Sequence, residues 1–336
     1  MALYNNCKLC PRSCGVDRDA GTRGFCGETA ALRIGYAGIH NGEEPPVRGL
    51  GGSGTIFVSG CNLGCVFCQN FQLSQGKHAH GKVSDTCESG RVVDTAELAR
   101  ICLELQNIGA ENINIVTGSH TAPALIWGVQ AARNQGLSIP VLWNSSGYEG
   151  AETLELLKDV IDVYLPDLKT LDADVAKKYF NAPNYPESAT AAILAMMNAR
   201  PLRFGAGKGI RNTPNVILEG VIIRHLVIPG RLEGTRAVIR WFADNCAGRG
   251  AGGGDRAMLS LMTQYTPVQI PNVKAEIPGR FITQDEYDAV LEMLDEFGIE
   301  NGFIQDLITD ANWLPDFSRS NPFPSKLSVP VWHCLK

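Results

Sequence analysis

The chain has 336 residues, 44% of them hydrophobic and 19% charged, with a formal net charge of −5. That length suffices for one large domain with a sizeable core plus a small appendage. The sequence contains no run of eighteen apolar residues and no global basic field, which excludes a helical membrane span and disfavours nucleic acid as the main partner.

The opening stretch, MALYNNCKLCPRSC, has no apolar segment of signal-peptide length, so the chain reads as cytoplasmic. In that reducing setting, eleven cysteines argue for metal rather than for a disulfide framework. Cys7, Cys10, Cys14 and Cys26 form C-x2-C-x3-C-x11-C within a Cys-rich segment, 1–48. Four thiolates separated by Gly, Pro and Asp turns can close a tetrahedral zinc site, hold an auxiliary iron–sulfur cluster, or form a metal-free buried group. The segment is too small for a core of its own, so a metal there would supply folding energy. Zinc would imply scaffolding, and a cluster would imply electron relay or substrate anchoring. Cys87, Cys102, Cys246 and Cys334 are scattered singly and read as small apolar side chains.

The Gly- and Pro-rich stretch HNGEEPPVRGLGGSG follows. Its GLGGSG matches the dinucleotide pattern G-x-G-x-x-G, but that pattern needs a preceding strand and a following helix. Here the strand TIFVSG follows instead, and the glycines read as a flexible approach to it. From this point short β-rich runs alternate with amphipathic helical patterns: TIFV, INIV, VLWN, IDVYL, GVIIRHLV and AMLSLM, with GFIQDL as a short last strand. Asp94 and Glu97 look like a reciprocal helix cap before Leu98, Ile101, Cys102, Leu105 and Ile108, with Gly109 at the end. Thr283 and Glu286 open a later helix in the same way, and Gly298 ends it. Six or seven βα units predict an α/β fold over 49–306, a partial (β/α)6-type or complete barrel in preference to an open two-domain Rossmann arrangement, with a flat doubly wound sheet left open because pattern alone does not show closure. Residues 181–219 are longer than one crossover needs and predict an extra helix with an irregular excursion. The tail, 307–336, is rich in Pro and aromatics and is expected to lie irregularly against the barrel surface.

Directly after TIFVSG, Cys61, Cys65 and Cys68 form C-x3-C-x2-C. Three thiolates can bind three corners of a 4Fe–4S cube and leave the fourth iron open; the blander readings are a zinc knuckle or a trio of buried thiols. The run stands at the C-terminal end of a strand, the end that carries chemistry in a β/α barrel. His78 and His80, in GKHAHGK, read as a solvated loop in preference to metal ligands.

The run CNLGCVFC resembles the signature of the radical S-adenosylmethionine superfamily. The resemblance implies a 4Fe–4S cluster on Cys61, Cys65 and Cys68, with the amino and carboxylate groups of S-adenosylmethionine on the open iron. It also implies reductive cleavage to a 5′-deoxyadenosyl radical that takes hydrogen from a substrate. Phe67 then lies near the adenine, and Gly118 and Ser119 of VTGSH near the methionyl amino group. Activating enzymes similar to that of pyruvate formate-lyase carry an Asp-Thr-type pair near a monovalent cation. Asn144 stands at the acidic position in WNSSG, with Ser145 beside it, which removes a charge and counts against the cation.

The sequence PDLK resembles the Asp-x-Lys motif of the same enzymes, placing Lys169 opposite the cofactor carboxylate and Asp167 beside Lys169 on one strand face. RHLVIPG resembles their arginine strand, so Arg224 approaches that carboxylate too; a buried Arg is costly without an anion. His225 points to the other face and reads as structural. Gln264 and Tyr265 are weaker candidates for meeting substrate. The whole pattern implies hydrogen abstraction from a protein or peptide substrate, including installation of a glycyl radical on a partner enzyme, with a flavodoxin- or ferredoxin-type electron donor. The alternatives are radical modification of a small molecule or ribosomal peptide, and a non-catalytic Cys-rich metal-binding interaction protein.

Overall fold

The computed structural model describes residues 3–75, 90–248 and 255–335; His78, His80 and Cys87 lie outside them. The strands, in chain order, are β1 (Arg33–His40), β2 (Ser53–Val58), β3 (Arg91–Val92), β4 (Ile113–Val116), β5 (Val141–Ser145), β6 (Val163–Pro166), β7 (Arg203–Gly205), β8 (Val216–Leu226), β9 (Met258–Met262), β10 (Gly302–Ile304) and β11 (Ser328–His333). The described helices are α1 (Pro45–Arg48), α2 (Phe71–Ser74), α3 (Thr95–Asn107), α4 (Ala122–Asn134), α5 (Ala151–Leu157), α6 (Ala173–Phe180), α7 (Tyr185–Ala199), α8 (Leu232–Asn245) and α9 (Gln284–Glu296).

One sheet runs β10-β9-β8-β6-β5-β4-β2-β1-β11 and does not close, since β10 and β11 stand at its two ends. From β2 through β10 the neighbours are parallel, whereas β1 joins β2 and β11 antiparallel. The architecture is the expected partial barrel. Both flanking segments contribute to its sheet, β1 from within 1–48 and β11 from within 307–336.

Alternation along the strands separates two faces. Val141, Trp143, Tyr164, Val221, Ile223, Leu259 and Leu261 join the large core under the helices. Leu142, Val163, Leu165, Ile222 and Met258 point the other way, into the lumen, where Val47 of α1 packs against them. The segment before β2 therefore plugs the lower barrel. Its glycines are tightly packed rather than flexible: a Cβ on Gly51 would lie 2.0 Å from Gly109 O. At the other side of the opening, Phe317 and Phe323 of the tail pack on Tyr36, Phe57 and Leu73, so the tail lies on strand faces as well as extending the sheet.

Both helix starts are capped as the spacing predicts, with one difference. Thr283 and Glu286 form the full reciprocal box. Asp94 accepts from Glu97 N at 2.8 Å, but the Glu97 carboxylate turns to Arg91 and to the Trp332 indole instead of returning to the cap. Residues 181–219 hold α7 and β7. Cys102 and Cys246 are buried thiols, whereas Cys334 is disulfide-bonded, which corrects its reading as a plain apolar side chain.

Candidate active site

The loop after β2 is built by close backbone approach. Gly60 has φ +81°, and a Cβ there would meet Glu28 Cγ at 2.6 Å and Cys26 O at 2.9 Å. Cys61 N donates to Cys26 O at 3.3 Å, so the three-cysteine loop rests on the Cys-rich segment. Leu63 N donates to Cys61 Sγ at 3.3 Å, and Ser74 Oγ of α2 donates to Cys68 Sγ at 3.1 Å. Gln75 holds the Cys65 carbonyl at 2.6 Å. The three thiols are electrostatic neighbours; burial pushes Cys65 far up and Cys68 up to about 11, while Lys169 pulls both back down. Donors aimed at the sulfurs and a nearby ammonium suit thiolate ligands of a 4Fe–4S cluster. Among the described residues no three His, Cys, Asp or Glu side chains gather closely enough for a single metal ion.

Arg12, which the sequence reading passed over, clamps this loop. Its Nε donates to Asn62 O at 2.9 Å and its Nη2 to Leu63 O at 3.0 Å and to Phe180 O at 2.7 Å, while Nη1 reaches Asn181 O. The guanidinium lies 3.7 Å from the Phe25 ring centroid. Partial burial lowers its pKa, and Tyr148, Cys10, Cys61 and Cys65 pull it back up. Arg12 therefore stands electrostatically between the two cysteine groups.

Cys7, Cys14 and Cys26 are electrostatic neighbours of Cys10. A Cβ on Gly24 would lie 3.2 Å from Cys14 Sγ and 3.5 Å from Cys26 Sγ. Burial pushes the Cys10 thiol up to about 12, and the neighbouring cysteines Cys26, Cys7 and Cys14 push the same way. The fully buried Arg18 sits beside them, with Nη1 3.6 Å from Cys7 Sγ and Nε donating to Glu28 O at 3.1 Å. A buried cation of this kind balances thiolate charge. Its signal in the sequence was only an Arg among turn residues.

At the strand ends the expected residues divide into two groups. Asp167 and Lys169 pair at 2.5 Å, with Cys65 in electrostatic reach of both. The buried Tyr185 of α7 fixes this strand end: its hydroxyl donates to Ser146 O and Asp167 O and accepts from Lys169 N. Asn144 lies on the lumen-facing register of β5, and its carbonyl accepts from Thr117 N. Ser119 and Ser145 turn to the helix side instead. Both meet Glu149, whose carboxyl burial pushes up and whose Oε1 accepts from Ser119 Oγ at 2.6 Å. Gly118 packs on Trp143 and Leu125 with no room for a Cβ. Phe67 is buried edge-on to Tyr179, Phe180 and Tyr265, with centroids 5.6 to 6.0 Å away.

Arg224 has its anions, and they come from the chain: Glu43 and Glu44 of the plug both pair with it. His225 is structural as expected, bonded to Leu168 O at 2.7 Å and to Thr235 Oγ1 at 3.0 Å. Gln264 O accepts from Gln69 of the three-cysteine loop at 3.0 Å. A cavity of about 510 Å³ opens next to the pair, lined by Lys169, Thr170, Leu226, Ile228 and Arg231 among others.

A parallel partial barrel with three cysteines in the loop after its first parallel strand defines a class of iron–sulfur proteins acting through S-adenosylmethionine. The family described as the radical SAM superfamily matches residues 55–203. An uncharacterised protein of Methanocaldococcus jannaschii is 30% identical over 302 residues, covering 89% of this chain and 77% of that one. The chain belongs to the radical SAM superfamily, whose members carry out radical chemistry. Among solved structures, Streptococcus suis SuiB matches with a TM-score of 0.46 and 12% identity over 73% of this chain and 47% of SuiB, so the chain spans about half of that protein's length. A domain of pyruvate-formate lyase-activating enzyme from Bacteroides vulgatus matches with a TM-score of 0.36 and 15% identity, covering 55% of this chain and 91% of that domain. Among the described residues no helix is long and apolar enough to cross a membrane.

Proposed function

We propose that the protein abstracts hydrogen from a protein or peptide substrate, with Cys61, Cys65 and Cys68 holding the 4Fe–4S cluster and installation of a glycyl radical as one form of the outcome. The observation that carries this reading is the convergence of the three-cysteine loop with the Asp167–Lys169 pair. When bound, the cluster supplies the electron that cleaves S-adenosylmethionine to methionine and a 5′-deoxyadenosyl radical. The chain's own residues bind and orient. Lys169, held by Asp167 and Tyr185, presents its ammonium to the cofactor carboxylate. Phe67 forms an apolar wall for the adenine, and the adjoining cavity gives the adenosyl group room. Asn144 faces the lumen beside them.

Cys7, Cys10, Cys14 and Cys26 hold a second metal centre in this reading, zinc or iron–sulfur, whose charge Arg18 balances. A flavodoxin- or ferredoxin-type protein delivers the electron. The likeness of PDLK to the activating-enzyme motif supports the macromolecular substrate. The test is anaerobic reconstitution, reduction and measurement of 5′-deoxyadenosine. Cys61→Ala, Cys65→Ala and Cys68→Ala should each abolish it, and no product from protein with an intact 4Fe–4S cluster would falsify the radical reading. Metal analysis of the Cys7→Ala protein identifies the second centre.

A further inference from the structure

Asn114, Arg224 and Ser260 face the lumen from β4, β8 and β9, and the segment before α1 inserts Glu43 and Glu44 between them. Arg224 Nε donates to Glu44 Oε1 at 2.8 Å, and Nη2 donates to Glu44 Oε2 at 2.5 Å and to Glu43 Oε2. Asn114 Nδ2 donates to Glu43 Oε1 at 3.1 Å. Every oxygen of both acids thus accepts a hydrogen bond. Two negative charges face one guanidinium. The neighbours do not supply the missing positive charge: burial lowers the pKa of His40 and keeps it neutral, and Asp167 and Lys169 neutralise each other.

A second defect lies at the same spot. Asn114 is fully buried, and its Oδ1 has no hydrogen-bond partner. The other atom of that amide is bound to Glu43, so the orphan acceptor stands against the carboxylate pair. An unpartnered buried acceptor and an unbalanced buried charge are each destabilising. One group cures both, an N–H donor carrying positive charge. Of the two acids Glu43 is the more exposed, with 12% of its side chain accessible against 8% for Glu44.

We propose that this lumen floor, Glu43, Glu44, Arg224 and Asn114, seats a protonated amine or guanidinium of the substrate and fixes the substrate beneath the three-cysteine loop. This rests on the radical reading, which makes the lumen the substrate chamber.

The test is ligand-observed NMR on cluster-loaded protein with S-adenosylmethionine present, using Nα-acetyl-lysine methylamide, the arginine counterpart, the neutral norleucine isostere, the glutamate counterpart and free lysine. The cationic probes should bind and the norleucine and glutamate probes should not, and Glu43→Gln should weaken the cationic probes at least tenfold. Binding of the acetylated amides identifies a residue within a peptide; binding of free lysine alone identifies a free amino acid. Norleucine binding as well as lysine, or no cationic probe binding to the wild type, overturns the proposal. The probe comparison is made on the wild-type protein, so it stands even where the variant fails to fold. 5′-Deoxyadenosine formation by the same preparation separates the two readings. Cleavage without cation binding removes the lumen-floor assignment alone, and absent cleavage with a loaded cluster removes the radical reading.

Discussion

Arg12→Ala tests whether the Cys-rich segment shapes the three-cysteine loop or merely covers it. The side chain makes four hydrogen bonds to carbonyls, two of them on the loop and two at the end of α6, and it stacks on Phe25. Hydrogen bonds from a charged donor contribute about 1.5–3 kcal/mol each when partners cannot rehydrate. Arg12 is half-buried, so only the bonds to Leu63 and Phe180 are counted, each at the lower bound, with ~0.5–1 kcal/mol added for the stacking contact. The expected loss is about 3–4 kcal/mol. For a chain of this size the unfolding entropy is about 0.7 kcal/mol/K, which converts the loss to a melting shift of about 5 °C.

The perturbation falls on the loop, so its consequence should be local. Iron and sulfide per chain after anaerobic reconstitution, together with the EPR signal of the reduced protein, should fall for the Cys61–Cys68 site while metal at Cys7, Cys10, Cys14 and Cys26 is retained. Arg12→Lys keeps the charge but loses the planar fork, and should land between the two. Arg12→Ala with full iron content and a melting point within about 1 °C of the wild type would refute the clamp.

Lys169→Met leaves Asp167 unpaired and removes the cation beside Cys65. Affinity of cluster-loaded protein for S-adenosylmethionine should fall about tenfold or more, with part of it restored by Lys169→Arg, as read by calorimetry. His225 predicts an acid-side loss of stability: burial lowers its pKa from 6.5 to about 4. The unfolded chain takes up that proton first, so the contribution is complete above pH 6.5 and is lost as pH falls toward 4, by up to about 3 kcal/mol. Denaturant titrations across that range should show the slope, and His225→Gln should flatten it. The Arg280 guanidinium, with backbone bonds from Thr283 and Gly230, holds Glu286 down at about 2 despite its partial burial. Its contribution is present above the ordinary value of 4.5 and is lost as pH falls toward 2, so Glu286→Ala should cost about 1 kcal/mol at pH 7 and little at pH 2.

The parallel strands were legible because each is a short apolar run between turn signals, and INIV coincides with β4 residue for residue. β1, RIGYAGIH, carries two glycines and lies outside the βα alternation, so neither composition nor period announced it. What pattern could not show was direction past a strand end. Ser119 lies past the end of β4 and its hydroxyl turns outward to Glu149, while Ser145, the last residue of β5, shares the helix-side face of Trp143 and meets the same carboxyl. Arg224 illustrates the limit in the other sense. Elementary electrostatics said that an Arg among Ile and Leu must have an anion, and it has two. That the anions lie about 180 residues earlier, in the EEPP stretch, depends on α1 inserting into the lumen, a contact between distant segments that no local period encodes. The same insertion sets two carboxylates against the Arg224 guanidinium, so the anion that electrostatics demanded is supplied by the chain itself.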